Sequence, residues 1–357
     1  MDRRLMKLRE EMVRLELDAV WISSAENHLY LSHFDNPDGQ LLVTLENLYM
    51  FADFRYIEAA RREADPACTV IMPEGARKDW LQPILAENSV RRIGYEDLML
   101  TCAALARLQN DLPSCVFVPI GSVLEEIRSV KTEEEIVCIT RAQRIAEDAL
   151  THLLKHIRTD MTEVEVAAEL EYFMKKNGSE KPSFDTIAVS GTNSSSPHGV
   201  PRNVPLERGF LTLDFGATVN GYHSDMTRTV VIGRADAEMK RLYETVLRAQ
   251  CAALDAIRAG VRNADMDKIA RDIIDEAGYK GCFGHSLGHG VGLKIHEMPT
   301  LSFASGDRIL KEGEIVTVEP GIYLEGKYGC RIEDFAVVTA DGIRNLTNAS
   351  KELLEIL

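Results

Sequence analysis

The sequence predicts two domains. An α/β unit occupies 1–125, and an α+β unit built as a pseudo-twofold α-α-β-β repeat occupies 132–357. Three observations predict this. Strand-like apolar runs alternate with helical segments through the front third, the pattern of an α/β layer. Near residue 122 that texture stops and a long amphipathic helix begins. Beyond it, RTDMTEVEVAAELEYFMKKNG (158–178) and RAGVRNADMDKIARDIIDEAG (258–278) align without gaps at an offset of 100, and a repeated sequence unit implies a repeated structural one. A chain of 357 residues is long enough for two cores.

The elements follow in order. MDRRLMKLREEMVRLELD places Leu5, Leu8, Met12 and Leu15 at helical spacing among charges, which is not a signal-peptide pattern. DAVWI (18–22), QLLVTL (40–45), LYMFA (48–52), CTVIM (68–72), RRIGY (91–95) and CVFVP (115–119) read as strands. The segments 55–64, 77–87 and 101–110 read as helices, and the domain boundary falls at 122–131. Thr132 with Glu135 forms a capping box at the head of the long helix. Its stripe of Ile136, Ile139, Ala142, Ile145, Ala149, Leu153 and Ile157 keeps helical period. Each copy of the repeat follows a long helix, is largely a second helix ending at glycine, and precedes strands holding histidines and carboxylates. That order places a site between two sheets.

Composition narrows the function. A formal net charge of -15 argues against nucleic acid or an anionic membrane as partner. No apolar run approaches the roughly 20 residues of a membrane span. Seven scattered cysteines without a CxxC read as reduced thiols of a cytoplasmic protein rather than disulfides or a thiolate metal site.

Chemistry concentrates in three segments. FLTLDFGATVNGYHSDMTRTVVIG (210–233) reads as a hairpin around Asn220-Gly221, so that paired residue numbers sum to 441. Asp214 then faces Thr227 and Asp225 faces Gly216, as diagonal neighbours about 7–8 Å apart on one face. Two carboxylates aimed together inside a sheet repel, and they call for a cation. EIVTVEPGIYLEGKYGCRIEDFAVVT (314–339) adds Glu319 at the end of an apolar strand and Glu333 in a strand otherwise suited to burial. GHSLGHGVGLKIHEMP (284–299) supplies His285, His289 and His296 in a frame of glycines. It is not a zinc-binding HExxH helix, because no second histidine follows His296-Glu297 and Pro299 would break such a helix. Four carboxylates with one imidazole form an oxygen-rich set suited to two divalent ions rather than one structural zinc. Two such ions acidify a shared water, and Glu319 can carry the proton to a leaving group.

The order Asp-x10-Asp, GHG, EPG and RIED resembles the metallopeptidases of the pita-bread fold: methionine aminopeptidase, aminopeptidase P and prolidase. The front third is similar to the creatinase-type domain of the Xaa-Pro members, in NHLYLSHF (27–34), FADFRYIEAA (51–60) and IGYED (93–97). Simple methionine aminopeptidases lack that domain. The resemblance implies Asp214 as ligand of one metal, Asp225 and Glu333 as bridging ligands, and His289 and Glu319 as ligands of the other. It implies His198, in SSPHGVP, near the scissile amide and His296 beside the tetrahedral intermediate. His285 would line the pocket for the residue after the bond, with Arg331 beside the site. The implied activity is hydrolysis of an N-terminal Xaa-Pro bond in a small peptide by a homodimer holding two divalent ions. Manganese is expected, with cobalt or zinc as alternatives. A proline dipeptidase is favoured over an aminopeptidase P acting on longer peptides. Some prolidases carry an arginine after the HExP proline, however, where this chain has Thr300. The readings from other classes are a metal-free creatinase-type hydrolase and a non-catalytic binding protein of the same fold; the complete ligand set opposes both. His223, His28 and His33 read as structural, and His152 with His156 as a solvated helix face.

Overall fold

The computed structural model describes residues 2–357. The chain divides into two compact units, Met1–Arg128 and Ser129–Leu357. The first contains α1 (Arg3–Arg14), β1 (Ala19–Ile22), α2 (Ala25–Ser32), β2 (Gln40–Thr44), β3 (Leu48–Phe51), α3 (Ile57–Glu63), β4 (Cys68–Ile71), α4 (Arg77–Glu87), β5 (Arg92–Tyr95), α5 (Cys102–Asp111), β6 (Val116–Pro119) and α6 (Val123–Ser129), which runs one residue past the division. Its six strands form one mixed sheet in the order β4-β3-β2-β1-β5-β6. The central strand β1 is buried along its whole length. Ala19 and Trp21 on β1 pack with Leu42, Phe51, Leu81, Leu85 and Leu108 in the core beneath α4 and α5. α1 buries the stripe Leu5, Leu8 and Met12 and is capped by Asp2. α2 carries no apolar period, since Asn27, His28, Tyr30 and Leu31 are all buried around its circumference. It is fixed by polar anchors instead. The Glu96 carboxylate accepts bonds from Ser24 N (2.9 Å), Ser24 Oγ (2.6 Å) and Asn27 Nδ2 (2.5 Å).

The second unit contains α7 (Glu133–His156), α8 (Glu163–Lys176), β7 (Ile187–Ser190), β8 (Gly209–Phe215), β9 (Thr218–Val219), β10 (Tyr222–His223), β11 (Met226–Ile232), α9 (Ala237–Ala256) and α10 (Asn263–Ile274). It continues through β12 (Gly288–Gly290), β13 (Glu297–Leu301), β14 (Ile315–Val318), β15 (Gly321–Leu324), β16 (Tyr328–Arg331), β17 (Asp334–Val338), β18 (Ile343–Asn345) and β19 (Glu355–Ile356). The capping box at Thr132 and Glu135 is formed, and a second one caps α8 at Thr162 and Glu165. The α8 and α10 helices begin 100 residues apart, as the repeat requires. The sheets follow suit: β19-β11-β8-β7 in one half and β13-β12-β14-β17-β18 in the other. Thus β7, β8 and β11 correspond to β12, β14 and β17.

Alternation along the strands decides which side chains face the space between the sheets. Leu211, Leu213 and Phe215 of β8 pack under α7 and α8. Thr212 and Asp214 therefore point the other way. In the second half Val316 and Val318 of β14 pack with α9 and α10, which turns Thr317 inward. The two sheets meet there. Thr227 Oγ1 donates to Glu333 Oε2 at 2.7 Å, Glu333 N to Thr227 O at 3.1 Å, and Thr229 Oγ1 to Arg331 O at 2.8 Å.

Candidate metal centre

The hairpin around Asn220-Gly221 keeps the expected register: Asp214 pairs with Thr227 and Tyr222 with Val219. Asn220 and Gly221 both have positive φ, 50° and 76°, as this two-residue turn demands. The ladder is not continuous, however. It breaks between β8 and β9, where Ser183 N donates to Gly216 O and Ser183 Oγ to Ala217 O. Asp225 consequently lies just outside β11 rather than in a regular pair with Gly216. A Cβ on Gly216 would lie 1.9 Å from Ser224 O, so the close approach excludes any other residue.

Four carboxylates come from equivalent places in the two halves. Asp214 sits near the end of β8 and Glu319 just after β14. Asp225 immediately precedes β11 and Glu333 immediately precedes β17. Ligand atoms of Asp225, His289 and Glu333 lie within 4.8 Å of one another. His289 Nε2 is 3.2 Å from Glu319 Oε1 and 3.6 Å from Asp225 Oδ2. Its Nδ1–H donates to Gly290 O at 3.1 Å, which leaves Nε2 to face the carboxylates. Thr317 Oγ1 accepts from His289 N and donates to Glu319 Oε1, at 2.9 and 3.0 Å. Asp214 Oδ2 accepts from Arg331 at 2.5 Å.

The electrostatics of this group describe a cation site. Burial raises the Asp225 pKa well above the ordinary value, and the neighbouring Asp214 raises it further. Glu333 is raised by burial and then by Asp225, and Asp214 by burial against the pull of Arg331. Burial opposes a charge on His289, but Glu319 and Asp225 prevail and lift it to about 9. Glu319, in spite of burial, is brought down to about 2, chiefly by His289. Asp214 Oδ1 and Glu333 Oε1 are buried with no hydrogen-bond partner. Unpartnered carboxylate oxygens in an apolar surround are costly, and divalent ions satisfy them. The donor set, mainly oxygen with one imidazole, fits such ions.

The other histidines separate into two groups. His296 is exposed, with its ring centroid 4.1 Å from that of His289. His198 is exposed on a loop that Arg331 ties through Pro197 O at 3.2 Å. His285 is partly buried and lies 3.0 Å from Tyr323 Oη, which accepts from Arg331 Nη1 at 2.6 Å. Burial lowers the pKa of His285 and of His296, and the charge of His198 lowers both further, which places the three imidazoles in one field. Beside His296, the Glu297 and Lys131 side chains form a buried ion pair at 2.8 Å. His223 is buried in the hairpin against Thr218, and His28 is buried within the first unit. His152 bonds Glu169 and stacks on Phe173 at the surface of the long helices. Asp2, His33 and Asp65 also approach within 4.8 Å, but His33 is exposed and Asp2 already caps α1. Tyr323, Thr227 and Thr317 join the site unannounced by sequence. Only their place in strands next to the candidate ligand motifs could have signalled them.

Matches to known proteins cover both units. Residues 137–340 match metallopeptidase family M24, and residues 4–130 match the creatinase/prolidase N-terminal domain. An Xaa-Pro dipeptidase of Pyrococcus furiosus is 38% identical over 357 residues, covering 99% of this chain and 100% of that protein. The structure of an Xaa-Pro dipeptidase from Bacillus anthracis superposes with a TM-score of 0.94 at 37% identity, covering 99% of each chain. That of an X-Pro aminopeptidase from Thermotoga maritima gives 0.90 at 37% identity, covering 97% of this chain and 100% of the other. With both units matched and the likeness running almost end to end, the chain belongs to metallopeptidase family M24, in the pita-bread fold with a creatinase-type N-terminal domain.

Proposed function

We propose that the chain is a proline dipeptidase, hydrolysing the Xaa-Pro bond of dipeptides at a centre that binds two divalent ions. The observation that carries this reading is the convergence of Asp225, His289 and Glu333, flanked by Asp214 and Glu319, with two buried carboxylate oxygens unpartnered. Asp214 would hold one ion and His289 with Glu319 the other, with Asp225 and Glu333 shared between them. When bound, the ions supply a Lewis acid for the scissile carbonyl and an acidified water.

The chain's own residues do the rest. Glu319, oriented by Thr317, accepts the proton of the attacking water and delivers it to the leaving nitrogen. His296 donates to the developing oxyanion and His198 acts near the scissile amide, both from exposed positions that a peptide can reach. His285 and Tyr323 bound the pocket for the residue after the bond. Arg331 holds Asp214 and Tyr323 in place through its buried fork.

An aminopeptidase acting on longer peptides is the second reading. Thr300 pairs with His289 across the β12–β13 ladder and is exposed. An arginine there could anchor a dipeptide carboxylate, and threonine lacks its charge and reach. Turnover of Gly-Pro, Ala-Pro and Ala-Pro-Ala with added Mn²⁺ decides between them. Faster cleavage of the dipeptides supports the first reading and faster cleavage of the tripeptide the second. No metal-dependent cleavage of any of them contradicts both. Manganese is the proposed metal, because magnesium accepts imidazole reluctantly. A cytoplasmic homodimer is the proposed form, supported by seven free cysteines and the family likeness. Sedimentation as a single species near 39.9 kDa would rule out the dimer.

A further inference from the structure

We infer that the Asp267–Arg271 pair of α10 positions His285, and through it sets the affinity of the site for the residue after the scissile bond. The inference rests on the proposed role of His285 as a substrate-side residue. An i,i+4 ion pair on an exposed helix contributes little. This one is different, because the Asp267 side chain is fully buried and both partners also bond the backbone of a loop.

Arg271 Nε and Nη2 donate to the two Asp267 oxygens at 2.8 and 3.0 Å. Its Nη1 donates to Phe283 O at 2.6 Å, and Nη2 also donates to His285 O at 2.9 Å. Asp267 Oδ1 in turn accepts from Leu287 N at 3.1 Å. Every second residue from Phe283 to Leu287 is thus pinned to one helix. The segment needs those pins, since no strand begins before Gly288. Side chains extend the clamp. The guanidinium carbon lies 4.3 Å over the Phe283 ring, whose edge-on partner at 4.9 Å is the His285 ring.

The held imidazole has a defined role. Its Nδ1 faces Ser286 O at 2.9 Å and so carries the proton. Nε2 is then an acceptor for Tyr323 Oη–H. A fork that fixes two carbonyls and a carboxylate together is a task for arginine and not for lysine.

The test uses the metal-loaded full chain with Ala-Pro. Arg271→Met should raise KM about tenfold, keep kcat within about threefold, and leave metal content unchanged. Arg271→Lys should fall between this variant and wild type. Because Arg271 acts through His285, the double variant with His285→Ala should bind no worse than His285→Ala alone. An unchanged KM in Arg271→Met, or effects that multiply in the double variant, overturns the inference. If Arg271→Met does not fold, Asp267→Asn, which keeps the acceptor for Leu287 N, should show a smaller rise in KM; no rise overturns it. Amide exchange over 283–287 should accelerate about tenfold in the folded variant, and unaltered exchange overturns the clamp whatever the enzyme cleaves. Wild type that leaves Ala-Pro intact refutes the proposed function instead, and exchange still decides the clamp.

Discussion

His28 and His289 are both deeply placed imidazoles, yet they titrate in opposite directions. His289 is held up by Glu319 and Asp225, whereas burial drives His28 down to about 4. The sign of its linkage follows. A histidine depressed in the folded state adds stability above its unfolded pKa, near 6.5, and that stability is lost as pH falls through 4. Replacing His28 with leucine should remove on the order of 2–3 kcal/mol of this acid sensitivity. Denaturant melts at pH 7 and pH 4.5 check it, and equal pH slopes for variant and wild type would contradict it. At the centre, His289→Ala should lose metal and activity together. His296→Ala should keep metal and lose about 10²–10³ in kcat. Equal metal loss in the two variants would mean that the ligand has been misassigned. The candidate ligand carboxylates were legible because they stand in or beside otherwise apolar strands, and His289 because glycines frame it. Tyr323 was not, since a tyrosine in a strand looks like any other core aromatic.

The elements of the site are built by close approach as much as by pairing. A Cβ on Gly288 would lie 1.9 Å from Thr317 O. Thr317 Oγ1 links His289 to Glu319, so Gly288→Ala should push β12 off β14 and disturb both ligands. The expected cost is about 1–3 kcal/mol in stability, with weaker manganese binding. Thermal melts and calorimetric titration measure the two, and wild-type values for both would sink the argument. Helices with strong period and caps, such as α7 with its Thr132 box, could be read directly from the chain. α2 could not, because its burial on all sides erases the period and its anchor, Glu96, lies far along the sequence. The interruption of the hairpin at Gly216 was equally hidden. Ser183, whose N donates to Gly216 O there, is announced by nothing local to the hairpin.

Across the second unit, duplication explains why the centre has the composition it has. Each half ends one strand and begins another with a carboxylate at matched places, so two halves bring four acids to one cleft. A weak repeat at an offset of 100 was enough to suggest this, whereas the packing of the two sheets through Thr227, Thr229, Arg331 and Glu333 needed coordinates. Four acids so placed, with two oxygens unpartnered, make cation binding the central claim. The most direct test titrates Mn²⁺ into exhaustively dialysed protein while following Ala-Pro hydrolysis and bound metal together. Activity should be absent without metal and reach its plateau at two ions per chain. Full activity in the metal-free protein, or a plateau well below two ions per chain, would contradict the account.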